Sequence, residues 1–239
     1  MRSRPSSSAR NPASPPSSCS GRGALGGLLR LGLPPTIGPH LLPFILPKLH
    51  RAFSTLKLYV REELARELPD ALSRGVHDLL LVPLPVHGAD LETQPIFREA
   101  IFIAMADDHP RCASVPEARG PPGRGRLTLE RGHQLQEQVE ALCDELGADL
   151  RLDYGGTSLD TLTQMVAMGT GISFLPGLYV ERALGRQPGI TVREIEGRSL
   201  SRTIGAVWRS TSARRDDYLT LVRFVRETVA AEFPGFMLL

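Results

Sequence analysis

With 239 residues, the chain has room for one large domain or two small ones, and its 41% hydrophobic and 23% charged content excludes a chain disordered throughout. The net charge of +2 is unevenly placed: residues 1–30 hold five Arg and no acid, which leaves 23 basic against 26 acidic side chains, a net −3, for the rest. A body with that balance lacks the clustered positive charge needed to grip a polyanion, so nucleic acid is not its expected partner.

Residues 1–30 contain eight Ser, four Pro and four Gly with little to bury, and 1–27 are expected to form a disordered basic tail. From Leu28 the pattern changes to apolar runs alternating with amphipathic stretches, the signature of α/β units around a largely parallel sheet. Expected strands are Leu28–Leu33, Leu56–Val60, Asp78–Pro83, Ala100–Ala106, Arg126–Leu129, Ile172–Leu175, Thr191–Ile195 and Thr203–Trp208. A helix is expected within 36–53, where Ile37, Leu41, Ile45 and Leu49 recur every four residues, although Pro43 and Pro47 require a late start, a kink or a distorted first part. A second helix over Glu62–Arg74 closes on Gly75, followed by helices at Gln134–Leu146, Leu159–Met168 and Asp216–Ala231. The Gly and Pro residues between Pro116 and Gly125 mark a surface loop.

Three cysteines (Cys19, Cys112, Cys143) cannot all pair within one chain, which points to a reducing compartment. Met1–Ser20 lacks the apolar core of an export signal, and no apolar run reaches the roughly 20 residues of a membrane span. A cytoplasmic protein without a membrane partner is expected. There is no Gly-x-Ser-x-Gly elbow, no phosphate loop and no dinucleotide fingerprint after the first strand, so no enzyme activity or cofactor is expected. The six His residues show no metal-ligand spacing, so no metal site is expected. No helix-turn-helix pattern precedes Leu31.

Three marks then occur in order: Leu72-x-x-Gly75-x-x-Asp78-Leu79, Asp108-His109-Pro110, and Val166-Ala167-x-Gly169-x-Gly171-Ile172-x-x-Leu175-Pro176. Together they resemble the effector-binding domain of LysR-type transcriptional regulators over about Leu28 to Phe236. Pro35-Thr36-Ile37-Gly38-Pro39, Leu42-Pro43, Gly132-His133 and Arg202-Thr203-Ile204-Gly205 sharpen the likeness toward that family's peroxide-sensing branch. The resemblance implies an α/β fold of two Rossmann-like subdomains joined by two crossover strands, as in periplasmic binding proteins. The first subdomain would comprise about 28–99 plus 203–239 and the second about 101–201. It also implies an effector in the cleft between them.

Candidate ligand-binding residues are Thr36, His133, Gln134, Thr157, Ser158 and Arg202. Thr36 precedes a helix, where its hydroxyl and the N–H groups of Ile37 and Gly38 suit either a simple cap or a polar or anionic ligand. Thr157 and Ser158 open the helix that carries Asp160 and Thr161 and have the same two readings. His133 is the one histidine with a motif argument for a pocket role, and Arg202 suits either a ligand carboxylate or an internal ion pair. In the branch resembled, the residue after the matching His is a peroxide-reactive cysteine, with a second cysteine nine residues later. This chain has Gln134 at the first position and Cys143 at the second. A carboxamide forms neither thiolate nor sulfenic acid, so direct peroxide sensing is not expected, and Cys143 is read as an inactive resolving-cysteine position.

The leading expectation is a ligand-sensing regulatory domain that takes a small-molecule effector, with anions among the fitting classes. It would pair as a homodimer or as a heterodimer with full-length relatives, and reach DNA only through a helix-turn-helix absent from this chain. A solute-binding protein of transport and a thiol-based peroxide-responsive protein are the alternatives.

Overall fold

The computed structural model describes residues 25–109, 126–129, 134–145, 155–156, 158–184, 188–194 and 200–239, with the backbone alone at 126–129, 134, 141–145 and 155–156. The expected N-terminal tail lies outside this set except for its last three positions. There Leu25 is fully buried in the core and Gly27 opens the first strand.

Strand β1 (Gly27–Leu33) pairs in parallel with β2 (Leu56–Glu62) along its whole length and with β3 (Leu79–Leu84) at Leu31 and Gly32. β3 is almost continuously apolar because it is flanked on both edges, by β1 and by antiparallel β9 (Ser201–Arg209). β4 (Leu91–Ala106) is the long strand of the molecule. Its residues 91–100 pair with β9, while 101–106 pair with β7 (Ile172–Pro176) and β8 (Ile190–Arg193). Beyond β7 come β5 (Arg126–Leu129) and β6 (Gly155–Gly156), both parallel, and β10 (Met237–Leu238) adds to β4 from the C-terminus. The result is two Rossmann-like subdomains sharing β4, each with its own apolar core, and the chain returns to the first through Leu200, whose carbonyl accepts from the Ile101 N–H at 2.8 Å.

Helix α1 (Gly38–Ala52) is continuous and contains both Pro43 and Pro47. Pro39, Pro43 and Pro47 recur every four residues, all exposed, while Leu41, Leu42, Ile45 and Leu49 face the core. The backbone acceptors that proline leaves unpaired therefore lie on the solvent side, where packing of the opposite face tolerates them.

The expected helix over Glu62–Arg74 is corrected by the structure. β2 extends through Glu62, which registers with Leu33 of β1, and helix α2 spans only Leu68–Ser73. Pro69 sits in the first turn, where its missing N–H costs nothing, and this sets the start. Gly75 follows at φ 76°, the left-handed conformation a helix end uses. β4 likewise begins nine residues before the expected Ala100. Pro95 argues against a strand there, but the register shifts between Pro95 and Phe97, so a bulge absorbs the missing donor.

Helices α3 (Gln134–Glu145), α4 (Leu159–Ala167) and α6 (Arg215–Glu232) fall where the periodicity places them. Between β7 and β8 lie a short turn of helix, α5 (Gly177–Tyr179), and a π-helical stretch over Val180–Leu184. A Cβ on Gly177 would meet the Phe236 ring at 3.1 Å and the Ala100 carbonyl at 3.2 Å, so the bare backbone permits the close approach of α5 to β4. No helix among the described residues is long and apolar enough to cross a membrane.

Candidate functional site

Where β4 passes from one subdomain to the other, a buried polar cluster gathers four segments. Arg202 of β9, 2% exposed, donates from Nε to Glu99 Oε1 of β4 at 2.7 Å. Its other nitrogens donate to the Thr36 hydroxyl at 3.2 Å and to the Thr36 carbonyl at 3.1 Å. The second Glu99 oxygen accepts from the Leu178 N–H of α5 at 2.5 Å. Both ions are therefore paired, and each guanidinium nitrogen and each carboxylate oxygen has a partner, which is the condition for a buried ion pair to persist.

This geometry shows how two of the sequence-selected residues are used. Arg202 forms the internal ion pair, one of the two readings its position allowed, and Thr36 serves it as an acceptor. Thr36 is not the helix cap: the N-cap of α1 is Ile37, without a side-chain bond. The Ile37 and Gly38 N–H groups both donate to the Pro34 carbonyl, at 2.9 and 3.1 Å. Ser158 is the N-cap of α4, accepting from the Thr161 N–H at 3.2 Å, and its hydroxyl also lies 3.0 Å from that of Thr161. His133 and Thr157 lie outside the described residues. Gln134 opens α3 and Cys143 lies near that helix's end, both given by backbone position.

A second arrangement was missed in the sequence. Tyr179 of α5 is buried, and its hydroxyl donates to Asp160 in the first turn of α4 at 2.8 Å. His40, in the first turn of α1, meets the Tyr179 ring edge to face, with centroids 5.0 Å apart. Burial, with Thr163 partly offsetting it and the Asp160 carboxylate adding to it, holds the Tyr179 phenol protonated far above its ordinary range. Burial also pushes the His40 imidazole below its ordinary value, with Asp160 partly offsetting this and Arg202 adding to it. Nothing local in the sequence pairs His40 with a tyrosine 139 positions later.

A pocket of about 190 Å³ opens at the carboxyl end of β3. Ala65, Arg66 and Pro69 form one wall, Val82, Pro83, Pro85, Val86 and His87 the floor, and Glu137 of α3 closes it from the other subdomain. Leu135 and Val139, on either side of Glu137, belong to the second core, so the pocket spans the cleft. Ligands in open α/β sheets collect at this end of the strands. The pocket combines an apolar floor with a cation, an anion and an imidazole, which suits a small ligand carrying both polar and apolar groups. Its lining was not legible in advance, because it joins the start of α2 and the end of β3 with its following loop to a helix some 50 positions further on. Among the described residues there is no group of three side chains able to hold a metal ion.

Residues 22–230 match the family model of the LysR substrate binding domain. The chain is 35% identical over 213 residues to the DNA-binding transcriptional dual regulator OxyR of Escherichia coli K12, covering 87% of this chain and 68% of that protein. The reduced OxyR regulatory domain of Pseudomonas aeruginosa superposes with a TM-score of 0.75 at 30% identity, covering 86% of this chain and all of that one. The oxidised form of OxyR gives a TM-score of 0.77 at 33% identity, over 88% of this chain and all of that one. The shared two-subdomain fold, the sequence identity and the family match together establish that this chain belongs to the LysR substrate-binding-domain family and is built like an OxyR regulatory domain.

Proposed function

We propose that this chain is the sensing domain of a LysR-type transcriptional regulator, and that it reads a small reversible ligand in the cleft between its two subdomains. The observation that carries this reading is the pocket shared by the two subdomains, with Arg66 and His87 on one side and Glu137 on the other. Gln134, at the position the resemblance assigns to the reactive cysteine, opens the same helix that carries Glu137. A carboxamide there supplies a hydrogen-bond donor and acceptor but no thiolate, so it serves binding and not oxidation. His133, Thr157 and Ser158 are proposed to complete the ligand contacts from the second subdomain. Ligand occupancy acts by favouring one spacing of the subdomains, and hence one dimer geometry, over the other. Dimerisation, with itself or with full-length relatives, and a cytoplasmic setting are parts of this proposal.

The test treats the intact chain with stoichiometric hydrogen peroxide, then alkylates the thiols and reads the masses. Cys143 is expected to remain alkylatable to the same extent as in an untreated sample. Rapid, selective loss of Cys143 alkylation would overturn the reading in favour of thiol-based sensing. A panel of small amino and hydroxy acids is then screened by thermal shift. A binder at about 100 times its Kd adds about 2.7 kcal/mol, or roughly 5–10 °C for a domain of this size. That shift is expected to vanish in Arg66→Ser and Glu137→Ser, and a shift retained in both places the ligand elsewhere.

A further inference from the structure

His40 and Tyr179 belong to different packing units. His40 sits in the first turn of α1, on the first subdomain's core, whereas Tyr179 is buried with the second core. Their edge-to-face contact at 5.0 Å, continued by the Tyr179 hydroxyl to Asp160 at 2.8 Å, ties α1 to α4 through α5. The charged groups around the imidazole are Asp160 of α4, which favours a proton there, and Arg202 of β9, which opposes one. Arg202 is itself held by Glu99 of β4. Of the two charges after Tyr179, Glu181 is attracted by Arg182 and repelled by Glu99, and Arg182 lies over the Phe44 and Phe233 rings at 4.2 and 4.6 Å.

We propose that His40 is a proton-operated latch between the subdomains: neutral, it packs on Tyr179 and holds the spacing seen here, and protonated, it leaves that contact and frees the junction. An imidazolium in a half-buried site under the influence of a guanidinium must recover water, and the partial exposure of His40, next to exposed Pro39, lets it do so. Because the latched form disfavours the proton, the folded state binds fewer protons than the unfolded chain, and stability falls as pH drops through the ordinary histidine range. Cleft geometry thereby becomes sensitive to mild acidification. None of these residues lines the pocket at Arg66 and Glu137, so the latch stands or fails separately from the ligand reading.

The test compares the intact chain with His40→Phe, which keeps an aromatic edge but cannot titrate. Unfolding midpoints are measured at pH 7.5 and 5.5, together with hydrogen exchange of the peptide containing Tyr179, corrected for intrinsic rates. The native chain is expected to lose about 2–4 °C more than His40→Phe over this interval, for a domain of this size. Its Tyr179 peptide is expected to gain exchange that the variant does not. Equal pH responses in both proteins would overturn the proposal. Should His40→Phe fail to fold, the His40 ring resonance of the native chain decides: a ring that titrates while Tyr179 exchange stays flat refutes the latch.

Discussion

Replacing Glu99 by Gln removes one charge of a fully buried ion pair and leaves the Arg202 guanidinium, 2% exposed, without its counter-ion. Breaking a buried pair from one side costs about 3–5 kcal/mol, because the remaining charge stays desolvated and unpaired. At about 2–4 °C per kcal/mol for a domain of this size, the midpoint should fall by roughly 6–20 °C. Arg202→Met should cost a similar amount by stranding the Glu99 carboxylate. The double variant Glu99→Leu, Arg202→Met removes both charges and leaves only neutral groups short of partners, the Leu178 N–H and the Thr36 oxygens, at about 1–3 kcal/mol each. It should therefore fall short of the single variants' sum of about 6–10 kcal/mol. Urea unfolding followed by Trp208, the single tryptophan, gives the three free energies on one probe, since Trp208 is wholly buried in the first core. Single-variant costs below about 1 kcal/mol, or strict additivity in the cycle, would refute the buried, coupled pair described above.

Asp78 accepts from the Arg30 N–H, Nε and Nη2 at 2.9, 3.1 and 2.6 Å. Burial alone would raise its pKa, but those hydrogen bonds and the Arg30 charge hold it below the ordinary carboxylate value. The contribution is thus present above the unfolded pKa and lost as pH falls through the folded one. Asp78→Asn should cost about 1 kcal/mol at pH 7, a figure discounted for the partly exposed Arg30, and should flatten the stability profile below pH 4, read by urea unfolding across pH 3–7. Pro47→Ala, on the exposed face of α1, should raise the unfolding midpoint by restoring a helix donor, a gain of about 1–2 kcal/mol after the entropy released to the unfolded chain is deducted. Gly75→Ala has open space for its Cβ but keeps φ 76°, so it should cost about 1 kcal/mol by calorimetry with no change in ligand-induced shift. Light scattering of the intact chain should give a dimer mass, and a monomer at all concentrations would favour the solute-binding alternative.

The periodicities of the sequence determined the secondary structure wherever one face meets a core: β1, β3, β7, α4 and α6 lie where apolar spacing places them. The family marks, being short and local, carried the fold and its two subdomains. Boundaries set by partners were not legible: Glu62 joins β2 because Leu33 of β1 reaches that far, and Pro95 lies within β4 because β9 runs beside it. Sequence also singled out Thr36 and Arg202 by position but left their roles open, since a guanidinium pairs with a ligand or with its own chain equally well until Glu99, 103 residues away, is brought beside it. His40 with Tyr179, and Arg66 with Glu137, carried no signal in the sequence at all and meet only in the fold. One-dimensional patterns record which side chains must leave water, whereas which polar groups meet inside depends on how strands far apart in the chain are laid side by side, and that only the tertiary structure decides.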